Sequence, residues 1–375
     1  MSSAVLDVEK IIADPATNIV VCCGSGGVGK TTTSAALAVR AAEAGRKVVV
    51  LTIDPARRLA QSLGVGELDN IPRPVQGLDT RAGGSLDAMM LDMKRTFDEV
   101  VVEHSSPESA QAILANPFYE ALSSSFSGTQ EYMAMEKLGQ LHAQAQHDGS
   151  WDLIVVDTPP ARSALDFLDA PEHLSSLLDG RFLRMLVAGA RGPLRLVSVG
   201  FNLVAAAMKK VLGGQLITDL QTFVAACEAI FGGFRARATE TFQLLASTST
   251  TFLVVATAQR DALREAAYFV DRLTEEGMPL TGLVINRFHA TNLEVSAARA
   301  LALAEDLDAD QSPIEIEALR RHAALAQVIE NERLLVDRFA RSRPQVRRAV
   351  VPSLPTDVTD LESLRRVGAL LADQS

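Results

Sequence analysis

The sequence has few cysteines, and their spacing excludes several kinds of protein. There are three in 375 residues, Cys22, Cys23 and Cys227. They provide neither the disulfide framework of a small secreted domain nor a C-x-x-C pair for zinc, and an iron–sulfur centre would need more thiolates. Cys22 and Cys23 fall in an apolar run, so we expect both to be buried core residues.

Basic residues are fewer than acidic ones, and long apolar segments are scarce. A net charge of −10 makes nucleic acid an unexpected main partner. The first ten residues lack a basic segment followed by an apolar core, which predicts no secretory signal and a cytoplasmic location. The uncharged run 241–259 has the length of a transmembrane segment, but Ser and Thr crowd its middle, so it predicts a turn and a strand at 251–256.

A glycine-rich loop is the clearest motif present. Its nine residues fit G-x-x-x-x-G-K-T-T, and they are Gly24, Ser25, Gly26, Gly27, Val28, Gly29, Lys30, Thr31 and Thr32. An apolar β-branched run precedes the loop and an Ala-rich helical pattern follows it, which is the context a phosphate-binding loop requires. The loop therefore predicts ATP binding, with Lys30 bridging the β- and γ-phosphates and the Thr31 hydroxyl on Mg²⁺.

Four further strand ends carry residues that suit a nucleotide site. The apolar run 151–157 ends in Asp157, as expected of a carboxylate that holds Mg²⁺ directly or through water. Asp54 ends another run and has two interpretations, which the residues alone leave open. It orients the attacking water, or it caps a helix beginning at Pro55. Asn286 and Pro352 end later strands, where they are candidates to contact the adenine.

Apolar runs alternate with helical patterns along most of the chain. The runs are 19–23, 47–53, 86–92, 152–157, 251–256, 280–286 and 347–352. This order predicts an α/β fold of the P-loop NTPase kind, a mostly parallel sheet with helices on both faces. We expect a single domain, 1–375, interrupted by an all-helical insert at about 171–246.

The insert has an unusual charge distribution. Between 181 and 218 it contains basic residues and no acidic one, although the whole chain is acidic. Either its helices pack on each other with their basic ends in water, or they contact a hydrophobic client, a membrane surface or a partner subunit.

Taken together, these motifs resemble those of the arsenite-pump and tail-anchored-protein-targeting ATPases, the ArsA/Get-type family. The similarity extends over nearly the whole chain. The matching segments are 26–32, Asp54-Pro55-Ala56, 91–98, 127–131, Asp157-Thr158-x-Pro160, 284–286 and 351–355. The resemblance implies a cytoplasmic dimer that closes on ATP and Mg²⁺ and associates transiently with the membrane. It further implies a catalytic role for Asp54, a metal role for Asp157, an adenine contact for Asn286 and client binding by the insert.

The chain departs from this family's pattern at the loop. Ser25 stands where the family carries a second lysine, which reaches across the dimer to the partner's phosphates. Serine has no charge to offer there, so the resemblance implies ATP binding with slow hydrolysis by the lone chain. Arg57 and the segment 159–162 also differ from the family, and its zinc-binding and arsenite-binding cysteines are absent.

Three functions follow from the motifs and the resemblance. The leading one is an ATP-dependent targeting or chaperone-like ATPase for hydrophobic or membrane-associated clients. An alternative is the ATPase subunit of an anion-transport system. Another is a slow regulatory subunit, paired as a heterodimer with a lysine-bearing paralogue in place of a homodimer. None of them requires nucleic acid or a transmembrane segment.

Overall fold

The computed structural model describes residues 5–54, 58–116, 119, 129–159, 233, 236–308 and 310–374. Within them the chain builds one eight-stranded sheet in the order β3-β4-β2-β5-β1-β6-β7-β8. The strands are β1 Ile19–Cys23, β2 Lys47–Thr52, β3 Arg73–Pro74, β4 Ser85–Met90, β5 Leu153–Asp157, β6 Thr250–Thr257, β7 Leu280–Phe288 and β8 Arg347–Pro352.

Every neighbouring pair in the sheet is parallel except β3 with β4. Strands β1 and β5 are buried along their whole length, as expected for apolar strands covered on both faces. The carboxyl ends of parallel strands lie at one edge of a sheet. The loop after β1, Asp157 at the end of β5 and Asp54 after β2 therefore converge there.

Ten helices have described bounds. They are α1 Val8–Ala13, α2 Lys30–Glu43, α3 Arg58–Ser62, α4 Met93–Glu103, α5 Pro107–Leu114, α6 Thr129–Asp148, α7 Arg260–Glu275, α8 Ala297–Asp306, α9 Pro313–Ser342 and α10 Leu361–Ala372. None of the helices in the described part of the chain combines the length and apolarity of a bilayer span.

Helix α2 places the glycine loop against the core. Ten of its fourteen residues are buried, most of them small. Ala, the best helix former, lets the helix approach the sheet closely, and Gly368 of α10 packs on its outer side near Arg40. The alanine-rich pattern predicted this helix. The same small side chains allow α2 to pack closely between the sheet and α10.

The predicted fold class is confirmed, and each of the seven predicted runs overlaps a strand. The antiparallel edge strand β3 was missed because it spans only two residues, both exposed. Both predicted core cysteines of β1 are fully buried. Burial raises the pKa of the Cys22 thiol to about 12, so this thiol stays protonated and inert.

The chain divides into two compact units. One comprises Met1–Met90, Gly149–Ala164 and Leu245–Ser375, and it contains the sheet. The other comprises Leu91–Asp148 and Leu165–Leu244. The predicted insert lies outside the described residues as far as 232, and 236–245 is helical. The single domain and its client-binding insert stay predictions.

Candidate active site

The glycine loop joins β1 to α2 and depends on residues without a Cβ. Gly24, Gly27 and Gly29 have φ values of 149°, 76° and 95°. A Cβ on Gly24 would lie 2.1 Å from the Val255 carbonyl oxygen, and one on Gly29 would lie 2.1 Å from Asn286 Nδ2. The loop can therefore lie against the ends of β6 and β7 only because Gly24 and Gly29 have no Cβ.

The first turn of α2 opens onto this loop. The N-cap is Gly29, which has no side chain, so the first backbone N–H groups of α2 donate no hydrogen bond to an N-cap side chain. Uncapped N–H groups at the positive end of a helix dipole favour an anion such as a phosphate.

Lys30 is a buried cation at the loop. Its side chain is only 6% exposed, and Nζ donates a 2.9 Å hydrogen bond to the carbonyl oxygen of Ser25. Burial lowers the pKa of Lys30, while the nearby carboxylates Asp157 and Asp54 oppose this shift. A desolvated ammonium beside an anion-binding loop gains most when a phosphate enters.

Asp157 lies at the end of β5 and is fully buried. Its Oδ2 accepts hydrogen bonds from Thr31 Oγ1 at 2.7 Å and Thr52 Oγ1 at 2.9 Å. Its Oδ1 is buried and has no hydrogen-bond partner among the described residues. Burial raises the pKa of Asp157 to about 6, although both hydroxyls and Lys30 act in the opposite direction.

This arrangement fits the implied Mg²⁺. An unsatisfied, fully buried carboxylate oxygen next to a threonine hydroxyl is a pair of hard oxygen donors, which is the ligand type Mg²⁺ prefers. Thr31 and Asp157 are therefore the residues that would hold the ion. Thr52 was missed by the sequence reasoning, and its signal is a hydroxyl at the last position of a buried strand beside the β5 carboxylate.

Asp54 lies two residues beyond the end of β2. Its backbone N–H donates to Thr52 Oγ1 at 3.2 Å, which links it to the hydroxyl that also holds Asp157. The Asp54 carboxylate is close enough to influence the pKa values of Lys30 and Asp157. Residues 55–57 lie outside the described residues, so helix capping and water positioning both stay open for Asp54.

Asn286 lies directly against the loop. Its Nδ2 donates to the Val28 carbonyl oxygen at 2.9 Å, and its Oδ1 accepts from the backbone N–H of Arg287 at 3.0 Å. The Asn286 side chain can still form one more hydrogen bond at each of these atoms, because Nδ2 carries two hydrogens and Oδ1 has two lone pairs. The adenine contact stays a prediction, and the structure adds a second task for Asn286, support of the loop.

A cavity of about 490 Å³ opens on the β6–β7 side of the loop. Its lining includes Ser25, Gly26, Gly27 and Val28, together with Arg287 and Ser353. Pro352 pairs with Phe288 at the end of β8, and the next residue, Ser353, donates its N–H to the Phe288 carbonyl oxygen at 2.8 Å. Pro352 thus lies beside the cavity, and its adenine contact stays a prediction.

The structure brings most of the predicted residues to one sheet edge. The loop, Asp54, Asp157 and Asn286 lie there, within one compact unit. Segments 127–128 and 160–163, which carry part of the motif pattern, lie outside the described residues. Sequence reasoning missed Arg287, whose Nη1 donates to the Gly27 carbonyl oxygen at 3.2 Å, and Glu332, which lines the same cavity.

Known proteins share much of this sequence. Residues 17–302 match the sequence model of a family described as anion-transporting ATPases. This match contains the loop, Asp54, Asp157 and Asn286, and ends before Pro352.

Relatives named ATPase GET3 occur in several fungi. The Candida glabrata protein is 30% identical over 223 residues, which are 56% of this chain and 62% of that protein. The Malassezia globosa protein is 25% identical over 282 residues, 74% of this chain and 75% of that protein. The Eremothecium gossypii protein is 28% identical over 218 residues, 56% and 62% respectively. The first and third alignments thus cover less than two thirds of those relatives.

Proposed function

The chain belongs to the anion-transporting ATPase family, and on that premise we propose that it binds ATP with Mg²⁺ and hydrolyses it to ADP and phosphate. The observation that carries this proposal is the buried Asp157, which shares one oxygen between Thr31 and Thr52 and whose other oxygen has no hydrogen-bond partner in the part of the chain that the structure describes. A buried carboxylate with an orphaned oxygen is costly unless the site has a further ligand to offer it.

Different residues of this chain have different roles in the proposed phosphoryl transfer. The loop N–H groups and Lys30 hold the phosphates, and Lys30 leaves its bond to the Ser25 carbonyl to do so. Asp54 orients the attacking water, a positioning role that needs no strongly basic carboxylate. Mg²⁺, held through Thr31 and Asp157, supplies neutralisation of phosphate charge when bound.

Direct measurement of ATP turnover tests the proposal. Purified chain should release phosphate from ATP in the presence of Mg²⁺, and excess EDTA should abolish the release. Lys30→Ala should lose nucleotide binding, whereas Asp54→Asn should bind ATP but not hydrolyse it. Failure of the wild-type chain to bind ATP in the presence of Mg²⁺ would overturn the proposal.

We further propose that the biological role is that of a dimeric targeting factor for hydrophobic or membrane-associated clients, working in the cytoplasm and transiently at the membrane. The relatives named GET3 and the basic, apolar segment 181–218 support this role. Asp54→Asn, trapped with ATP, should retain such clients in a pull-down. An anion-transport role predicts instead that an oxyanion stimulates the ATPase.

Ser25 favours a regulatory variant of the same proposal. Ser25 is buried in the loop, 8% exposed, and its side chain carries no charge. By analogy, the arginine finger of P-loop GTPases contributes about 10³–10⁵ to the rate. We therefore propose that the lone chain hydrolyses ATP slowly. It would pair with a lysine-bearing paralogue, whose lysine would contact the phosphates of the ATP bound to this chain.

Steady-state ATPase rates distinguish a homodimer of this chain from a heterodimer with a lysine-bearing paralogue. The comparison is between the chain alone, Ser25→Lys, and the chain mixed with a lysine-bearing paralogue. We expect Ser25→Lys or the paralogue to raise the rate by orders of magnitude. If the wild-type chain alone already matches Ser25→Lys, the heterodimer is not needed and the homodimer stands.

A further inference from the structure

The end of β7 holds the phosphate loop by two hydrogen bonds. Asn286 Nδ2 donates to the Val28 carbonyl oxygen at 2.9 Å, and Arg287 Nη1 donates to the Gly27 carbonyl oxygen at 3.2 Å. Arg287 adopts a left-handed backbone with φ of 55°, the only described residue other than glycine with a positive φ. Such a conformation costs free energy and persists only where its surroundings fix it.

Helix α9 contacts the segment just beyond Arg287 through Glu332. Two residues after Arg287, the backbone N–H of His289 donates to Glu332 Oε2 at 2.8 Å, and His289 Nδ1 lies 2.8 Å from Glu332 Oε1. Glu332 is only 9% exposed, and both of its carboxylate oxygens contact the same residue, His289. A bidentate contact of this kind fixes the backbone as well as the ring.

These residues face the same space as the loop. Arg287, His289 and Glu332 line the cavity of about 490 Å³ together with Ser25, Gly26 and Gly27. The contact is therefore at the nucleotide side of the sheet and not at its opposite edge. A small shift of residues 286–289 would move the two donors that hold Val28 and Gly27.

We propose that Glu332 is a positioning residue for nucleotide binding, acting through His289 and the end of β7 on the phosphate loop. The inference rests on the proposed function, since it concerns how that site is held in its binding geometry. Helix α9 does not depend on Glu332 for its place. Arg343, just beyond the end of α9, forms a bidentate ion pair with Asp271, and His322 contacts the Val295 carbonyl oxygen at 2.8 Å.

Binding of a fluorescent ATP analogue, N-methylanthraniloyl-ATP, with Mg²⁺ tests the proposal. We expect Glu332→Ala to raise Kd about tenfold, because it frees both contacts to His289. His289→Ala keeps the backbone contact, so it should raise Kd less. The double variant should be no weaker than Glu332→Ala, since the two act in series.

Two further variants serve as controls. Glu332→Gln can still accept from the His289 N–H and donate to Nδ1, so it should bind within about twofold of wild type. Glu330→Ala changes an exposed residue of the same helix and should not alter Kd. Thermal unfolding of each variant shows whether the fold is intact.

The outcomes are distinct. Wild-type protein that does not bind the analogue would refute the proposed function itself. Wild-type binding with an unchanged Kd in Glu332→Ala would refute only the positioning role. Additive losses in the double variant, or a Glu332→Gln variant as weak as Glu332→Ala, would refute it too. If Glu332→Ala does not fold, His289→Ala replaces it, because that variant removes the ring contact to Glu332, and an unchanged Kd in His289→Ala would then refute the positioning role.

Discussion

Thr31 Oγ1 donates a 2.7 Å hydrogen bond to Asp157 Oδ2, joining the first turn of α2 to the end of β5. The bond connects residues 126 positions apart in the sequence and occupies one of the two carboxylate oxygens. The second oxygen has no partner among the described residues. The pair is therefore both a structural contact and an incomplete set of ligands, and it yields two of the predictions below.

Removal of the Thr31 hydroxyl should weaken activation by Mg²⁺. Thr31→Val keeps the shape of the side chain but removes both a ligand and the donor to Asp157, so we expect about a 10- to 100-fold higher Mg²⁺ requirement. ATPase rates over a Mg²⁺ titration measure this. Thr31→Ser, which retains the hydroxyl, is the control, and an unchanged titration in Thr31→Val would exclude Thr31 as a ligand.

Asp157→Asn should stabilise the nucleotide-free and metal-free protein, increasingly so as the pH rises. The pKa of Asp157 is raised from the usual 3.8 to about 6. The protonated form contributes stability that is fully present below 3.8 and lost as pH rises through about 6. Above that, the buried charge costs on the order of 3 kcal/mol, which asparagine avoids.

Thermal unfolding between pH 5 and pH 8 in EDTA measures this effect as the difference in Tm between Asp157→Asn and wild type. The matched control is Asp357→Asn, an exposed aspartate outside the site. A difference in Tm that stays constant or shrinks toward pH 8 would contradict the assignment of a buried, raised-pKa carboxyl to Asp157.

Gly29→Ala should damage the site more than its backbone strain explains. A Cβ there would meet Asn286 Nδ2 at 2.1 Å, and φ is 95°. Gly64→Ala is the matched control, because Gly64 has φ of 65° and open space around it. We expect about 1–2 kcal/mol of destabilisation from strain in both, and loss of nucleotide binding only in Gly29→Ala.

Denaturant unfolding and fluorescent nucleotide binding separate the two effects. Equal nucleotide affinity in the two glycine variants would mean that Asn286 gives way easily. That result would also weaken the view that the end of β7 supports the loop.

In the second unit, Arg237→Met should destabilise the protein by about 3–5 kcal/mol. Arg237 Nε contacts both carboxylate oxygens of the buried Glu136, at 2.8 Å and 3.0 Å. Burial raises the pKa of Glu136, and Arg237 counteracts this shift. Without Arg237, an uncompensated carboxylate stays buried. The double variant with Glu136→Gln should recover part of the loss in chemical denaturation, and no recovery would show that packing dominates.

The sequence predicted the parts of the fold that follow from local patterns. Apolar β-branched runs identified seven strands, and the glycine loop before an Ala-rich helix located the start of α2. These signals are strong because burial on both faces demands continuous apolar residues, and a tight loop demands glycine. The two-residue strand β3 has neither signal.

Contacts between distant residues were beyond that reasoning. Nothing in the local pattern around Glu332 distinguishes it from the exposed Glu330, since both lie in a charged stretch of α9. The role of Glu332 depends on which turn of the thirty-residue helix α9 lies beside the end of β7. Likewise Thr52 became part of the site only through the register that pairs it with Asp157.

The support of the glycine loop by β7 also means that the loop can be held in place only after β7 has been synthesised. Asn286 and Val28 are separated by 258 positions, so the ribosome makes the loop long before its support. At roughly 5–20 residues per second the delay is about 13 to 50 s. Nucleotide is therefore expected to bind only near the end of synthesis, too late to guide the earlier steps of folding on the ribosome.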